Sequence, residues 1–215
     1  MSVGIRKPMS LEAFLEWEER QELRYEFDGF EPMAMTGGTS AHSAIQVNIA
    51  VAVGGRLRGE PCRLFSSDLK IQVAGSIRYP DAFVVCTPVR PNAIVVTEPV
   101  VVFEVLSPST ASTDINTKNL EYRDTPSIRR YVMLAQDSRH ATVFERVGDD
   151  WIGHVLSDDA VLAMPEIGVK CRWLSSMRAS PSNRPQPMQH PISRTKSEAA
   201  RPPREYILRN SVPDS

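Results

Sequence analysis

The apolar positions of this chain change period several times, and each change marks an element. Leu11, Phe14 and Leu15, with Glu18 on the same stripe, recur at helical spacing behind Ser10, whose hydroxyl can cap free N–H groups. That spacing predicts a first helix. Tyr25-Glu26-Phe27 then runs into Asp28-Gly29, a two-residue turn signal, so a hairpin into residues 30–35 is expected. Beyond Gly37-Gly38, Ser40 or a neighbour opens a second helix. Ile45, Ile49, Val53 and Leu57 share its buried stripe, and Gly54-Gly55 weaken its end.

The period then falls to two. Leu69, Ile71 and Val73 alternate with Lys70 and Gln72, as in a half-buried strand with Asp68 and Lys70 facing water. Residues 80–86 and 99–106 differ, because Phe83-Val84-Val85 and Val100-Val101-Val102-Phe103 are continuous apolar runs, the mark of strands covered on both faces. Polar residues 107–124 read as a loop followed by a helix. Further strands are expected at 130–135, 141–147 and 151–156, the last two joined by Gly148-Asp149-Asp150. The class is α/β in the α+β sense: a central mixed sheet flanked by two or three helices, with an N-terminal β-hairpin. The organisation expected is a flexible N-terminus (1–9), one domain (10–173) and a Pro/Arg/Ser-rich tail (174–215).

Charge sharpens that division. The formal net charge is −1, which excludes a uniformly basic coat for nucleic acid. Residues 174–215 carry 7 Lys+Arg against 3 Asp+Glu, leaving the first 173 residues with 18 against 23. The tail also holds seven prolines and only scattered apolar residues, a composition expected to stay disordered, apart from a short element at 204–209. Cys62, Cys86 and Cys171 are far apart and form no CxxC or Cys/His cluster, so neither structural zinc nor a disulfide framework is expected. The N-terminus turns acidic before any long apolar stretch, and the run at 44–53 is broken by Gln46 and Asn48. The chain reads as cytoplasmic and reducing, with no membrane partner and no organic cofactor.

The chemically informative residues are carboxylates among apolar strands. Asp81 stands directly before Phe83-Val84-Val85, and Glu104 sits inside VVVFEVL. An ionised carboxylate in a buried strand costs several kcal/mol unless it is paired, hydrogen-bonded or metal-bound. Two readings follow. The pair can hold a hard divalent cation such as Mg²⁺ or Mn²⁺. Alternatively, Asp81 can accept backbone hydrogen bonds while Glu104 pairs with Arg123 or Arg130. Lys118, in STDINTKNLEY after the second strand, completes an Asp, Glu and Lys set of the kind phosphodiester hydrolysis uses.

The order of these phrases resembles a known family. RYEFDGFEPMAM at 24–35, His42 at the start of the next helix, YPDAFVV at 79–85, VVVFEVLSPSTASTD at 100–114, Lys118, Tyr122 and IRRYVMLAQD at 128–137 are similar to the Uma-two family of restriction-endonuclease-like proteins, within the PD-(D/E)XK nuclease superfamily. The resemblance implies a restriction-endonuclease-like fold. It makes Asp81 the PD aspartate and Glu104 the acidic residue of the second motif, with Glu26 completing the metal site. The strict motif would place Lys at 106, where this chain has Leu106, so the lysine role passes to Lys118.

The expected function is therefore an Mg²⁺- or Mn²⁺-dependent endonuclease cutting DNA, as a homodimer where both strands are cut. Asp81, Glu104 and Lys118 are the catalytic set, Glu26, Asp81 and Glu104 the metal ligands, and His42 and Tyr122 supporting residues. His42 fits either proton transfer or a packing and capping role. Ser107 and Ser109 fit phosphate binding or a simple turn with Pro108, and Tyr122 fits support of Lys118 or plain packing. The alternative function is a catalytically weakened protein of the same fold that binds nucleic acid or a partner.

Overall fold

The computed structural model describes residues 8–107, 111–138, 140–157 and 160–172. Helix α1 (Leu11–Glu18) starts where Ser10 Oγ accepts from Ala13 N at 3.2 Å. Its buried Phe14 stacks on Phe27, ring centroids 4.8 Å apart, and both pack with Ile77. Strands β1 (Tyr25–Phe27) and β2 (Pro32–Ala34) form the expected hairpin. The turn is longer than Asp28-Gly29 implies, because Phe27 pairs with Pro32 and leaves residues 28–31 between them. Asp28 Oδ1 accepts from the backbone of Phe30 and Glu31, so its side chain builds the wider turn, with Gly29 at φ +88°.

Helix α2 (Ser40–Ile49) is capped by Thr39 and continues through a π-turn at Ala50–Gly54. The stripe of Ile45, Ile49, Val53 and Leu57 is fully buried. Then follow β3 (Arg63–Ser66), β4 (Lys70–Val73), β5 (Ser76–Arg78), β6 (Ala82–Val85), β7 (Val95–Val96) and β8 (Pro99–Leu106). The polar segment after β8 is helical in three joined pieces: α3 (Ala111–Thr113), a π-turn (Asp114–Lys118) and α4 (Asn119–Asp124). β9 (Arg130–Ala135), β10 (His140–Val147), β11 (Asp150–Ser157), β12 (Val161–Met164) and β13 (Val169–Arg172) complete the described chain.

The expected single central sheet is resolved into two larger sheets and a small one. Six strands run in the order β11-β10-β9-β8-β6-β3, with β8 and β9 parallel and the other neighbours antiparallel. Five strands run β2-β1-β5-β4-β7, and β12 pairs with β13. The continuous apolar runs have the predicted cause. In β8, Val101, Phe103 and Val105 pack under α2, while Val102 faces Tyr122, Tyr131 and the β4 residues Ile71 and Val73. Burying each such side chain contributes about 1.5–3 kcal/mol. Glu104 lies on the second face, in step with Val102.

Two expectations are corrected. Lys70 is buried, not solvent-facing, because Glu18 of α1 meets its ammonium at 2.5 Å and supplies the missing countercharge. Asp68 is exposed as expected and pairs with Arg24. Cys62 and Cys86 form a disulfide. Twenty-four residues separate them, so spacing alone gives no signal, but β3 pairs with β6 with Arg63 opposite Val85, which brings the two cysteines face to face. Among the described residues no helix is long and apolar enough to cross a membrane. Residues 1–7 of the expected flexible N-terminus (1–9), Pro108, Ser109, Trp173 and the expected tail (174–215) with its element at 204–209 lie outside the described residues.

Candidate active site

The polypeptide crosses from the five-stranded to the six-stranded sheet between Arg78, the end of β5, and Ala82, the start of β6. Pro80-Asp81 forms that crossing, where proline's missing N–H removes no ladder bond. Ala82 pairs with Phe103, so the same register sets Asp81 beside Glu104 on the neighbouring strand. Asp81 Oδ2 accepts from Val105 N at 2.5 Å. Its Oδ1 accepts from Gln46 Nε2 at 2.7 Å and lies 3.3 Å from His42 Nε2, both on one face of α2. The hydrogen bond to Asp81 holds the His42 imidazole above its ordinary value, against the opposing effect of burial.

Glu104 is 3% exposed. Its Oε1 accepts from Lys118 Nζ at 3.1 Å and Tyr122 Oη at 2.8 Å, and Oε2 has no hydrogen-bond donor among the described residues. Burial pushes the Glu104 carboxyl well above the usual carboxylate range. Lys118 opposes that shift, while Asp114, Asp81 and Glu26 push further upward. Lys118 is itself buried and touches three carboxylates at 3.1 Å each: Glu104, Glu26 and Asp114. Burial disfavours its charge, but these three carboxylates more than compensate and hold the ammonium above its ordinary value. Only the Glu104 contact is aligned as a hydrogen bond, and Asp114 Oδ1, though close, is buried without one.

Glu26 reaches this cluster from β1. Its Oε1 accepts from Tyr79 N at 3.1 Å, and its Oε2 from Arg78 Nη1 at 3.2 Å. Arg78 is fully buried, and its guanidinium also forks onto Glu121 of α4 at 2.7 and 2.5 Å. At the far end of β8, Gln136 Nε2 donates to Leu106 O at 2.8 Å while its Oε1 accepts from Thr39 Oγ1.

All the expected residues therefore meet in one place. Glu26, Asp81, Glu104, Lys118 and Tyr122 form one largely buried cluster, and His42 stands at its α2 side. Tyr122 supports Glu104 rather than Lys118. Glu104 pairs with neither Arg123 nor Arg130; Arg130 is engaged by Glu145 and Glu166. Gln46, Arg78, Asp114 and Glu121 are the additions. Gln46 and Asp114 each stand four residues from an expected site residue on the same helical run, a periodicity that points to them. Arg78 carries no such signal, since nothing local marks an arginine in a three-residue strand as buried.

The donor set is all oxygen, the preference of Mg²⁺ or Mn²⁺. Among the described residues, no three His, Cys, Asp or Glu side chains already converge as an ion cage. Asp81 and Glu104 nevertheless suit such an ion, because Mg²⁺ is commonly held by one or two carboxylates with water and substrate phosphate completing its shell. The undonated Oε2 of Glu104 provides an open oxygen, and the mutual repulsion of the carboxylates favours a cation. Glu26 has both oxygens committed to Tyr79, Arg78 and Lys118.

The mixed-sheet α+β architecture is that of the restriction-endonuclease-like fold, as its likeness to a solved structure shows. A solved structure described as "a putative nuclease belonging to DUF820" from Anabaena variabilis ATCC 29413 superposes with a TM-score of 0.66, at 19% identity over 77% of this chain and 96% of that one. The chain belongs to the Uma2 family, described as "Putative restriction endonuclease", whose model matches residues 11–173. Two uncharacterized proteins of Synechocystis sp. (strain ATCC 27184 / PCC 6803 / Kazusa) are similar to it. One, slr1290, is 35% identical over 148 residues, covering 67% of this chain and 78% of its own. The other, sll1609, is 27% identical over 158 residues, covering 71% of this chain and 89% of its own.

Proposed function

We propose that the protein is a divalent-metal-dependent endonuclease that hydrolyses DNA phosphodiester bonds. The observation that carries this reading is the placement of Asp81 beside Glu104, with Lys118 Nζ 3.1 Å from the glutamate. Family membership and the fold support it. Asp81 and Glu104 would hold Mg²⁺ or Mn²⁺, which supplies Lewis acidity toward the phosphate and an acidified water. Glu26 fixes Lys118 from the opposite side, with its own carboxylate anchored by Arg78. Lys118, once turned toward the reacting phosphate, orients the water and offsets developing negative charge. Gln46 keeps Asp81 oriented, and His42, 3.3 Å from Asp81, would serve proton transfer at the leaving oxygen. Cleavage of both strands would call for a homodimer, and a cytoplasmic location is part of this reading, in which the Cys62–Cys86 bond would be an exception to thiol usage there.

The weakened, nucleic-acid-binding reading draws on one observation: Lys118 is 5% exposed and encircled by carboxylates, unlike a lysine already presented to substrate. Incubation of supercoiled plasmid with Mg²⁺ or Mn²⁺ separates the two readings. Nicking that EDTA, Asp81→Asn and Glu104→Gln each abolish supports the endonuclease. Retention on DNA without nicking, in wild type and both variants alike, supports the binding protein.

A further inference from the structure

The ammonium of Lys118 contacts Glu26, Glu104 and Asp114 at 3.1 Å each, hydrogen-bonds only to Glu104, and is reached by water at no more than a sliver of its surface. That is how a compact point charge neutralises an acidic cluster: by position rather than by directed bonds. Asp114 Oδ1, 1% exposed as a residue, is left beside this charge without a hydrogen bond. The ammonium and a divalent ion bound through Asp81 and Glu104 would draw on the same glutamate. Both charges together on Glu104 would repel each other across a few ångströms of poorly screened interior.

We propose that Lys118 is an internal counter-ion that competes with the divalent cation for Glu104, and that cation binding releases it. The inference rests on the metal-dependent reading above and assigns the lysine two states. In the resting state it holds Glu26, Glu104 and Asp114 together and offsets part of their charge. A cation held by Asp81 and Glu104 would repel the ammonium, loosen its hydrogen bond to Glu104 and leave Lys118 on Glu26 and Asp114, with an N–H free to serve substrate phosphate or the reacting water. Loading of the site and arming of the lysine thereby become a single event, and a buried lysine outside the strict motif position can still act in the reaction.

The test is the affinity of Mn²⁺ for wild type, Lys118→Met and Asp81→Asn, measured by isothermal titration calorimetry on the full chain without DNA. Removal of the competing charge is expected to tighten Mn²⁺ binding by tenfold or more, and Asp81→Asn to abolish it. Equal or weaker binding in Lys118→Met, with wild-type binding lost in Asp81→Asn, overturns the counter-ion proposal and leaves the metal site standing. Absence of Mn²⁺ binding in wild type and Lys118→Met alike overturns the metal-dependent reading, and the proposal with it. Should Lys118→Met fail to fold, the wild-type protein decides. Its Lys118 side-chain ¹⁵Nζ resonance, assigned by its loss in Lys118→Arg, is expected to shift and to exchange faster with water at saturating Mg²⁺. An unchanged resonance refutes the exchange.

Discussion

Arg78→Met removes the cation that ties the five-stranded sheet to α4 beside the candidate site. Arg78 is fully buried and donates to Glu121 at 2.7 and 2.5 Å and to Glu26 at 3.2 Å. The carboxylates it serves are themselves only 12–13% exposed, so neither recovers much hydration when the guanidinium is gone. Deleting one partner of a buried ion pair costs about 3–5 kcal/mol, most of it from the carboxylate left behind. For a domain of this size that corresponds to a fall in melting temperature of roughly 6–20 °C. Urea unfolding followed by circular dichroism measures the loss as a shift in midpoint at constant m-value. Because the orphaned carboxylate carries the cost, adding Glu121→Gln to Arg78→Met is expected to return about 1 kcal/mol or more, a coupling within the range seen for residues of one network. A loss below about 1 kcal/mol in Arg78→Met, or a double variant as weak as the sum of the two single ones, refutes the reasoning that this arginine is an electrostatic hub.

Three further outcomes follow from other contacts. Tyr122→Phe deletes the 2.8 Å hydrogen bond to Glu104 Oε1 without changing the ring packing on Tyr131, and is expected to cost about 1.5–3 kcal/mol in the same urea assay. Burial opposes ionisation of Glu18, but hydrogen bonds from Lys70 and Tyr79 outweigh it and hold the carboxyl below its ordinary value of 4.5. Its folded-state value being depressed, Glu18 contributes stability that is fully present above that ordinary value and lost as pH falls through the folded one. Stability of the wild type should therefore drop more steeply than that of Glu18→Gln below about pH 4.5, and parallel acid profiles would contradict it. Reduction of Cys62–Cys86, which closes a 24-residue separation, is expected to lower stability by about 3 kcal/mol, with no effect of reductant on a Cys62→Ser/Cys86→Ser protein.

Much of the fold is legible in residue order because local signals and tertiary environment agree. The α2 stripe and the two apolar strands follow from periodicity, and in each the burial observed is the burial the pattern implies; the β10–β11 hairpin forms where expected, although Ile152 and Val155 of β11 are exposed. Departures arise where a distant residue changes the environment. Lys70 occupies a solvent-facing position of an alternating strand until Glu18, fifty-two positions earlier, meets it beneath the Tyr79 ring. The turn after β1 widens because the Asp28 side chain substitutes for a backbone partner, an option Asp-Gly leaves open. The site divides the same way. Asp81 and Glu104 announce themselves by being charged within apolar strands. Arg78 and Glu121 are visible only once β1, β5 and α4 are brought together.

The helix after β8 shows why the remainder of the site escapes periodic reading. Asp114, Lys118 and Tyr122 are spaced four and four, and in a regular helix of 3.6 residues per turn each step of four drifts by about 40° around the axis. Over both steps the drift would separate Asp114 from Tyr122 by about 80°, enough to turn one of them away from Glu104. All three are nonetheless buried, at 1%, 5% and 0% exposure. The reconciling feature is the π-turn at Asp114–Lys118, whose wider i→i+5 winding takes more residues per turn and reverses the drift over the first step. Asp114 and Tyr122 thus return to one line with Lys118 between them, the ammonium facing Asp114 on one side and Glu104, shared with Tyr122, on the other. Lys118 reaches Glu104 because the helix is locally unwound to aim it there.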